Sequence, residues 1–599
     1  MYRLFIFLIL LLGFSCLNAQ TKVTFLLKNL PPNNQLKVGI RGDQAPLSWS
    51  SSIEMQAIED YYQVEVEFEA SIQNLEFKFV RFDAQDEATW ETNDNRTLSL
   101  NGESQLISEH EWDVEQLIDL SALPLLQPEQ LLADFKLIEK MILDIHPGTY
   151  RYNSKASIQA ALKELQTAFQ KPMTYGQAYL AMSKLTASLQ CGHTMVGIYN
   201  QKATINSLIH RQADKLPFSF TWIDGQMIVL ENASEVPDLN RGARLLSIDC
   251  RVVSVVQASL VPYIPADGAT DHQRKAYLSV PAYDFEFYPF DVFYPLLFPI
   301  KNQHIEIEFQ NFGAKGIHTH TVQTLTRTQR TATLKERYPD FPKSNDELWD
   351  FIITEDDIGI LTLNSFALYG FGQLTRDYKL FFADIFKQLK KEKTKHLVID
   401  IRGNSGGNDE IKHELFKYLS YAKDAPGFER IGKTRYLQFP DSFKPHIKTW
   451  GDEPWFYNLK PDNPEPINGY YHFKEATKDP SGKRKKDAFT GKVYLLTSSV
   501  NVSLAFYLAA DFKQKEIGTI YGEETGGNQR DINGGQIIFM YLPNSGIEVE
   551  FPVMGGFTIA DRPNRGIVPD VLIKPTQEGI AKGKDNQLNH LLMQIRKME

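Results

Sequence analysis

The chain has 599 residues, 42% of them hydrophobic, and a formal net charge of −10. That length exceeds one ordinary core, so three or four domains are expected. The excess of acidic over basic residues argues against a nucleic-acid partner, because phosphate binding needs clustered positive charge. At the start, Arg3 gives a positive n-region, Leu4 to Phe14 an apolar stretch, and Ala19 a cut site. A secretory signal is therefore expected over 1–19, and with it an exported chain, in the periplasm, cell envelope or extracellular space. The apolar run is shorter than the roughly 18 residues of a membrane span, and no transmembrane helix is expected after signal removal. Leu12-Gly13-Phe14-Ser15-Cys16 departs from a lipoprotein signal at Phe14, leaving a lipid anchor at Cys16 as the lesser alternative. Cleavage after Ala19 would leave Cys191 and Cys250, which allow one disulfide at most. Neither has a zinc-ligand spacing, and no metal or cofactor is expected.

Residues 20–105 alternate in short runs, Val23 to Leu26, Leu36 to Ile40, Tyr62 to Phe68 and Leu75 to Val80, separated by turn residues. A β-sandwich is expected. Val38-Gly39-Ile40-Arg41-Gly42-Asp43 with Pro46-Leu47-Ser48-Trp49, and then Leu75 to Val80, Trp90-Glu91 and Asn95-Arg96, resemble a starch-binding type carbohydrate module. The resemblance implies a glucan stacked on Trp49 and Trp90. Buried tryptophan is common, and a reading in which both belong to the sandwich core weighs more.

Residues 106–127 are acidic and without clear periodicity, as in a linker. From 128 to 204 the pattern is helical: Leu131, Leu132, Phe135, Leu137, Ile138 and Ile142 recur at spacings of three or four, and His146-Pro147 stops the helix. Ile158, Leu162, Leu165 and Phe169 mark a second helix, and Tyr179 to Leu189 a third. Residues 205–330 read as strands and turns. Within them Arg241-Gly242-Ala243-Arg244-Leu245-Leu246-Ser247-Ile248 resembles the turn and strand of a PDZ domain, which implies peptide binding by strand addition; a plain β-rich domain is the alternative. From 331 to 599 strands and helices alternate as in an α/β core. Residues 424–490, rich in Pro, Lys, Asp and aromatics, form an insertion.

Chemistry concentrates in two places. His396 to Ile401 is a buried-strand run ending in Asp400, Arg402, Asn404 and Gly406-Gly407. Glycines there let backbone N–H groups approach a ligand and hold an oxyanion. Lys492 to Thr497 is a second such run, followed by a turn and by Ser503 at the head of a helix. A helix N-terminus offers unsatisfied N–H groups to a nucleophile, but taken alone Ser503 reads as an ordinary N-cap.

In order, Asp400 to Gly407, Ser498 to Ser503, Gly522 to Asn528, Leu542 to Gly546 and Gly566-Ile567-Val568-Pro569-Asp570 resemble the tail-specific, C-terminal processing and tricorn-core serine peptidases over roughly 126–575. The resemblance implies a multidomain α+β protein: a crotonase-like (ClpP-like) α/β catalytic core, with an N-terminal β-sandwich, a helical segment and a PDZ-like domain. It implies Ser503 as nucleophile, with Gly406, Gly407 and the Leu504 N–H as the oxyanion hole. One base system of that family uses a lysine where this chain reads Thr525-Gly526-Gly527-Asn528. The other uses a histidine, matched by His193 in Cys191-Gly192-His193-Thr194. An imidazole suits the task because its pKa lies near working pH.

Two departures stand out. Gly192 occupies the place of a serine, and Arg562-Pro563-Asn564-Arg565 lacks the glutamate usual before the closing motif. Asp561 is the nearest carboxylate and the candidate orienter, with a solvated turn aspartate as the equal alternative. Asp400 and Arg402 are expected to pair or cap their strand, and His146 to be a packed imidazole. The expected activity is a serine-type endopeptidase acting on polypeptides through an acyl-enzyme. Two rivals remain: a catalytically impaired protein that binds glycan or peptide, and an esterase with Ser405 in a Gly403-Asn404-Ser405-Gly406-Gly407 elbow.

Overall fold

The computed structural model describes residues 20–598 except 29–36, 59–60, 83–87, 92–94, 101–103, 112–122, 284–286, 343, 369–373, 423–424, 426, 450–454, 463–464, 474–483, 486–487 and 535. The expected signal at 1–19 lies outside the described residues. The chain divides into two compact units, Met1–Asp119 and Leu120–Glu599.

In the first unit, alternation decides the architecture. Gln20–Lys28 buries Thr21, Val23, Phe25 and Leu27 and turns the intervening residues outward. A four-stranded sheet runs Gln56–Ile58, Tyr61–Glu69, Gln20–Lys28, Gln105–Glu111. A five-stranded sheet is built on Lys37–Gly42 and Asn74–Phe82. Phe25 and Phe77 meet in the core, ring centroids 4.9 Å apart. Residues 106–111, expected to begin the linker, instead pair in parallel with Gln20–Lys28. Their acidic side chains hide the alternation that places His110 against Phe77 and Phe79.

The second unit opens with helices Pro128–Lys140, Lys155–Ala168 and Tyr175–Ser188, whose apolar faces share one core. Ser154 and Thr174 cap the second and third by accepting the N–H groups of Ser157 and Gln177. Next comes a sheet ordered Phe218–Ile223, Gln226–Asn232, Arg244–Ile248, His304–Gln310, His318–Gln323. The stretch is not strands and turns alone: helices Val253–Leu260, Asp271–Ala276 and Pro289–Leu297 intervene.

A six-stranded sheet follows, in the order Trp349–Ile353, Ile358–Leu363, His396–Asp400, Lys492–Thr497, Gly518–Gly522, Val571–Leu572. All its neighbours are parallel except the first pair. Its central strands are buried on both faces, which explains their unbroken apolar runs. Helices Tyr378–Lys391, Asp409–Phe416 and Ser503–Gln514 share one core cluster with it, and Asn586–Arg596 contributes to another.

The 424–490 insertion is not a bare loop. Arg430–Thr434, Ile447–Lys448 and Tyr471–Phe473 join Gln536–Tyr541 and Glu548–Thr558 in a further sheet, to which Met195–Val196 adds. That last pairing ties the end of the helical segment to the catalytic half. Asp134 makes a second tie, its carboxylate accepting from Asn544 N at 3.1 Å, Asn544 Nδ2 at 2.8 Å and Ser545 N at 2.9 Å. Asp134 is fully buried, so Asp134→Ala strands three donors. The expected loss is about 2–4 kcal/mol, read from denaturant unfolding.

Candidate active site

The turn after His396–Asp400 is built by side chains that tie it down. Asn404, fully buried, donates to Leu363 O at 2.7 Å and accepts from Gly406 N at 2.8 Å. Gly406 and Gly407 take φ of 119° and 134°, a region open in practice only to glycine. Asp400 and Arg402 pair as expected, and Arg402 also reaches Asp585 and Gln587.

The second turn is locked to the first. Buried Asn501 donates to Ile401 O and to Asn404 O, the latter at 2.9 Å, and accepts from Ser498 N at 2.7 Å. Ser503 follows, at the first position of its helix, with φ 50°. A left-handed serine costs about 1–3 kcal/mol and persists only where its surroundings impose it. Here the burial of Leu504, Ala505 and Phe506 and the Asn501 lock do so.

A Cβ placed on Gly406 would lie 2.7 Å from Ser503 Cβ and 3.0 Å from Leu504 N. Gly406 therefore keeps open the space in front of the serine and the Leu504 amide. Its own N–H is committed to Asn404, so it does not donate into the site; this corrects the expectation that both glycine amides line the oxyanion hole. The remaining amides are Gly407 N–H and Leu504 N–H, the latter unsatisfied because it lies in the first turn of a helix.

A cavity of about 1260 Å³ is lined by Ser503, Gly406 and Gly407, and from other elements by Gly192, His193 and Asp267. His193 thus opens on the same space as Ser503, although the two are far apart in sequence. Neither side chain hydrogen-bonds to another group among the described residues. Burial pushes the imidazole below the ordinary histidine range, and the Asp267 charge partly opposes this. His146, which does not line the cavity, is buried and bonded through Nε2 to Thr194 Oγ1 at 2.7 Å. It is the packed imidazole expected, with burial lowering its pKa to about 3, and it anchors the loop that carries His193.

The sequence reading missed Asp267. It is almost wholly buried, accepts from Gly192 N at 3.0 Å through Oδ1, and has no partner at Oδ2 among the described residues. Burial raises its pKa, and the neighbouring His193 lowers it. A Cβ on Gly192 would lie 2.6 Å from Asp267 Oδ2, so this carboxylate and a serine at position 192 compete for one space. The loop that lacks the lysine holds Asp267 instead: Asn528 Nδ2 donates to Asp267 O at 3.1 Å and to Asn564 Oδ1 at 2.7 Å. Asp561, by contrast, is at the surface with its side chain 96% exposed, 4.0 Å from Arg530, and is not among the cavity residues. A solvated turn aspartate cannot orient a half-buried imidazole.

Ser405 also lines the cavity, but the left-handed backbone that marks a nucleophile elbow is found at Ser503 and not at Ser405. In the first unit, Trp49 is half-buried and Trp90 is exposed; their rings lie 6.3 Å apart at 43°, with the Arg41 guanidinium 4.8 Å from the Trp90 ring. They are a surface pair, not core residues.

Residues 357–573 match the model of Peptidase family S41, and residues 20–109 match that of the Starch binding domain. No curated protein matches the chain. Mature CPAF complexed with lactacystin is similar in structure, with 13% identity, a TM-score of 0.52, and cover of 79% of this chain and 98% of that one. That likeness shows a shared fold. The photosystem II D1 C-terminal processing protease aligns over 79% of this chain and 99% of its own at 15% identity, with a TM-score of 0.34. Glucoamylase of glycoside hydrolase family 15 from Hypocrea jecorina covers 16% of this chain and 18% of its own at 20% identity, with a TM-score of 0.15.

Gly406→Ala forces a Cβ against Ser503 from a backbone region open in practice only to glycine, so the turn must shift, and the rate of covalent labelling by a fluorophosphonate should fall at least about 100-fold while circular dichroism reports whether the rest of the fold is kept. Intact-mass spectrometry over time measures this.

Proposed function

We propose that this chain, a serine-type peptidase with a family S41 domain over 357–573 behind a starch-binding domain over 20–109, is an exported endopeptidase that hydrolyses polypeptides through an acyl-enzyme. The observation that carries this reading is the single cavity onto which a left-handed Ser503, the His193 imidazole and Asp267 all open. In the mechanism, His193 takes the Ser503 proton as the hydroxyl oxygen attacks the peptide carbonyl. The Leu504 and Gly407 amides hold the oxyanion. His193 then protonates the leaving amine, and water, deprotonated by the same ring, releases the acyl group. Asp267 stabilises the imidazolium that forms in each half-reaction, the role a buried carboxylate has beside a catalytic histidine. We take the six-stranded core as crotonase-like and the domain of residues 205–330 as PDZ-like, presenting an extended polypeptide to the cavity. Among the described residues no helix is long and apolar enough to cross a membrane.

The surface pairing of Trp49 and Trp90 supports a role for the front module in stacking on a glucan. Either tryptophan changed to alanine should reduce retention on insoluble starch in a pull-down, leaving peptide hydrolysis unchanged.

Ser503→Ala should abolish fluorophosphonate labelling and lower kcat/KM on an unfolded protein substrate by about 1000-fold or more. Ser405→Ala should keep both. Labelling that maps to Ser405 sinks the peptidase reading in favour of an esterase; retention on starch with no labelling at all favours a binding protein.

The pH dependence carries a sign. Catalysis needs neutral His193, and burial lowers its pKa, so the acid limb of kcat/KM should fall below the roughly 6.5 of a free histidine. Asp267 opposes that lowering. Asp267→Asn should therefore move the limb to still lower pH while kcat drops, as read from a pH–rate profile. A purely structural role for Asp267 would leave the limb where it was.

A further inference from the structure

We propose that Asp238, His318 and His320 bind a zinc ion on the β-rich domain, away from the catalytic cavity. The case begins with alternation. Strand His318–Gln323 pairs antiparallel with His304–Gln310, placing His318 opposite Phe309, His320 opposite Ile307 and Val322 opposite Ile305. Phe309, Ile307, Ile305 and Val322 are all buried. Positions 318 and 320 therefore share the inward face of the sheet, where apolar side chains are expected, and imidazoles stand there instead.

The rings are held before any ion arrives. Phe309 stacks on His318, with centroids 5.1 Å apart and 9° between planes, and on His320 at 5.9 Å and 24°. The two imidazoles lie nearly parallel, at 15°. Asp238 comes to them from the loop after strand Gln226–Asn232. Asn311 fixes that loop, donating to Asp238 O at 2.8 Å and accepting from Asn240 N at 3.2 Å. The Asp238 carboxylate stands 3.0 Å from His318 Nδ1 and 3.8 Å from His320 Nε2.

One ligand atom from each residue lies within 4.8 Å of the other two. Ligand atoms on a tetrahedral zinc, bonded at about 2.0–2.2 Å, are about 3.3 Å apart, so small side-chain rotations suffice. Two imidazole nitrogens and one carboxylate oxygen are a zinc donor set and a poor one for magnesium or calcium, which take oxygen ligands. The three side chains are half-exposed, which leaves the fourth position to water. A bound ion would staple the 233–240 loop to the sheet-edge strand His318–Gln323.

The test uses the full chain, stripped with a chelator and titrated with zinc chloride by calorimetry at pH 7.5. One saturable equivalent is expected, weakened at least tenfold in His318→Ala and in His320→Ala and unchanged in His193→Ala. Zinc should raise the thermal midpoint of the unaltered chain and leave that of His320→Ala in place. Binding should also weaken on acidification, as protons compete for the imidazole nitrogens. To guard against a folding defect, each variant is compared by circular dichroism, and His320→Gln, which keeps a polar side chain but loses the ring nitrogen, must lose the site too. No saturable equivalent, an affinity in the His318 and His320 variants equal to that of the unaltered chain, or loss in His193→Ala instead overturns the proposal.

Discussion

A serine held in left-handed backbone can exist here only because the chain facing it has no side chain. Ser503 takes φ 50°, and a Cβ on Gly406 would come within 2.7 Å of its own Cβ. The two turns that make this contact belong to neighbouring parallel strands, His396–Asp400 and Lys492–Thr497. Parallel pairing alone does not fix the turns beyond the strand ends. Asn404 and Asn501 do so: each is fully buried, and each satisfies backbone groups that a loop would otherwise leave unpaired inside the protein. Strain at the serine, freedom at the glycine and the asparagine lock form one device. Its product is an open space in front of the Leu504 amide.

The imidazole that opens on the same cavity comes from elsewhere in the chain and on different terms. A half-buried imidazole without a counter-charge resists the protonation that the proposed mechanism asks of it. Asp267 is the carboxylate beside it, held by Gly192 N and facing the space a side chain at position 192 would take. A side chain at position 192 would collide with the carboxylate, so glycine stands there. The loop that would hold a lysine, and the stretch that would hold a glutamate, contribute Asn528 and Asn564, and these hold the Asp267 backbone and the loop beyond it.

Much of the fold was legible because burial on both faces writes itself into sequence. The runs at 396–400 and 492–497 are apolar throughout, and the three helices of 128–189 show their spacing openly. Short elements were not legible. Ile447–Lys448 and Tyr471–Phe473 span two and three residues, too few for any period to show, and so a sheet read as an insertion. The serine was legible only through its neighbours, since a helix-capping serine and a nucleophile look alike in isolation. Asp267 was invisible for a different reason. Its contact with Gly192 joins residues 75 apart, and a lone aspartate among turn residues carries no periodicity. Asp561 drew attention by lying close in sequence to the closing motif, and closeness along the chain is a poor guide to what faces a cavity. His318 and His320 were readable in principle, as polar residues on alternate positions of a strand whose third member, Val322, is buried.

One strand joins the loop of His193 to the insertion. His193 is followed at once by Met195–Val196, which pairs with Glu550 and Val549 of Glu548–Thr558. That strand pairs in turn with Arg430–Thr434 from the insertion. Beneath the contact lie Glu548 and Glu550, both buried. Burial, and then the charge of Glu550, drives the Glu548 pKa well upward, and burial alone lifts that of Glu550 to about 7. Two charged carboxylates two residues apart on this buried stretch of strand would repel each other, so the sheet is compatible with at least one neutral acid. The loop of His193 thus rests on a strand whose opposite edge is held by Gln536–Tyr541 and whose far end is held by the insertion. Cutting the insertion back would remove the Arg430–Thr434 partner of residues 555–558 at the far end of that strand.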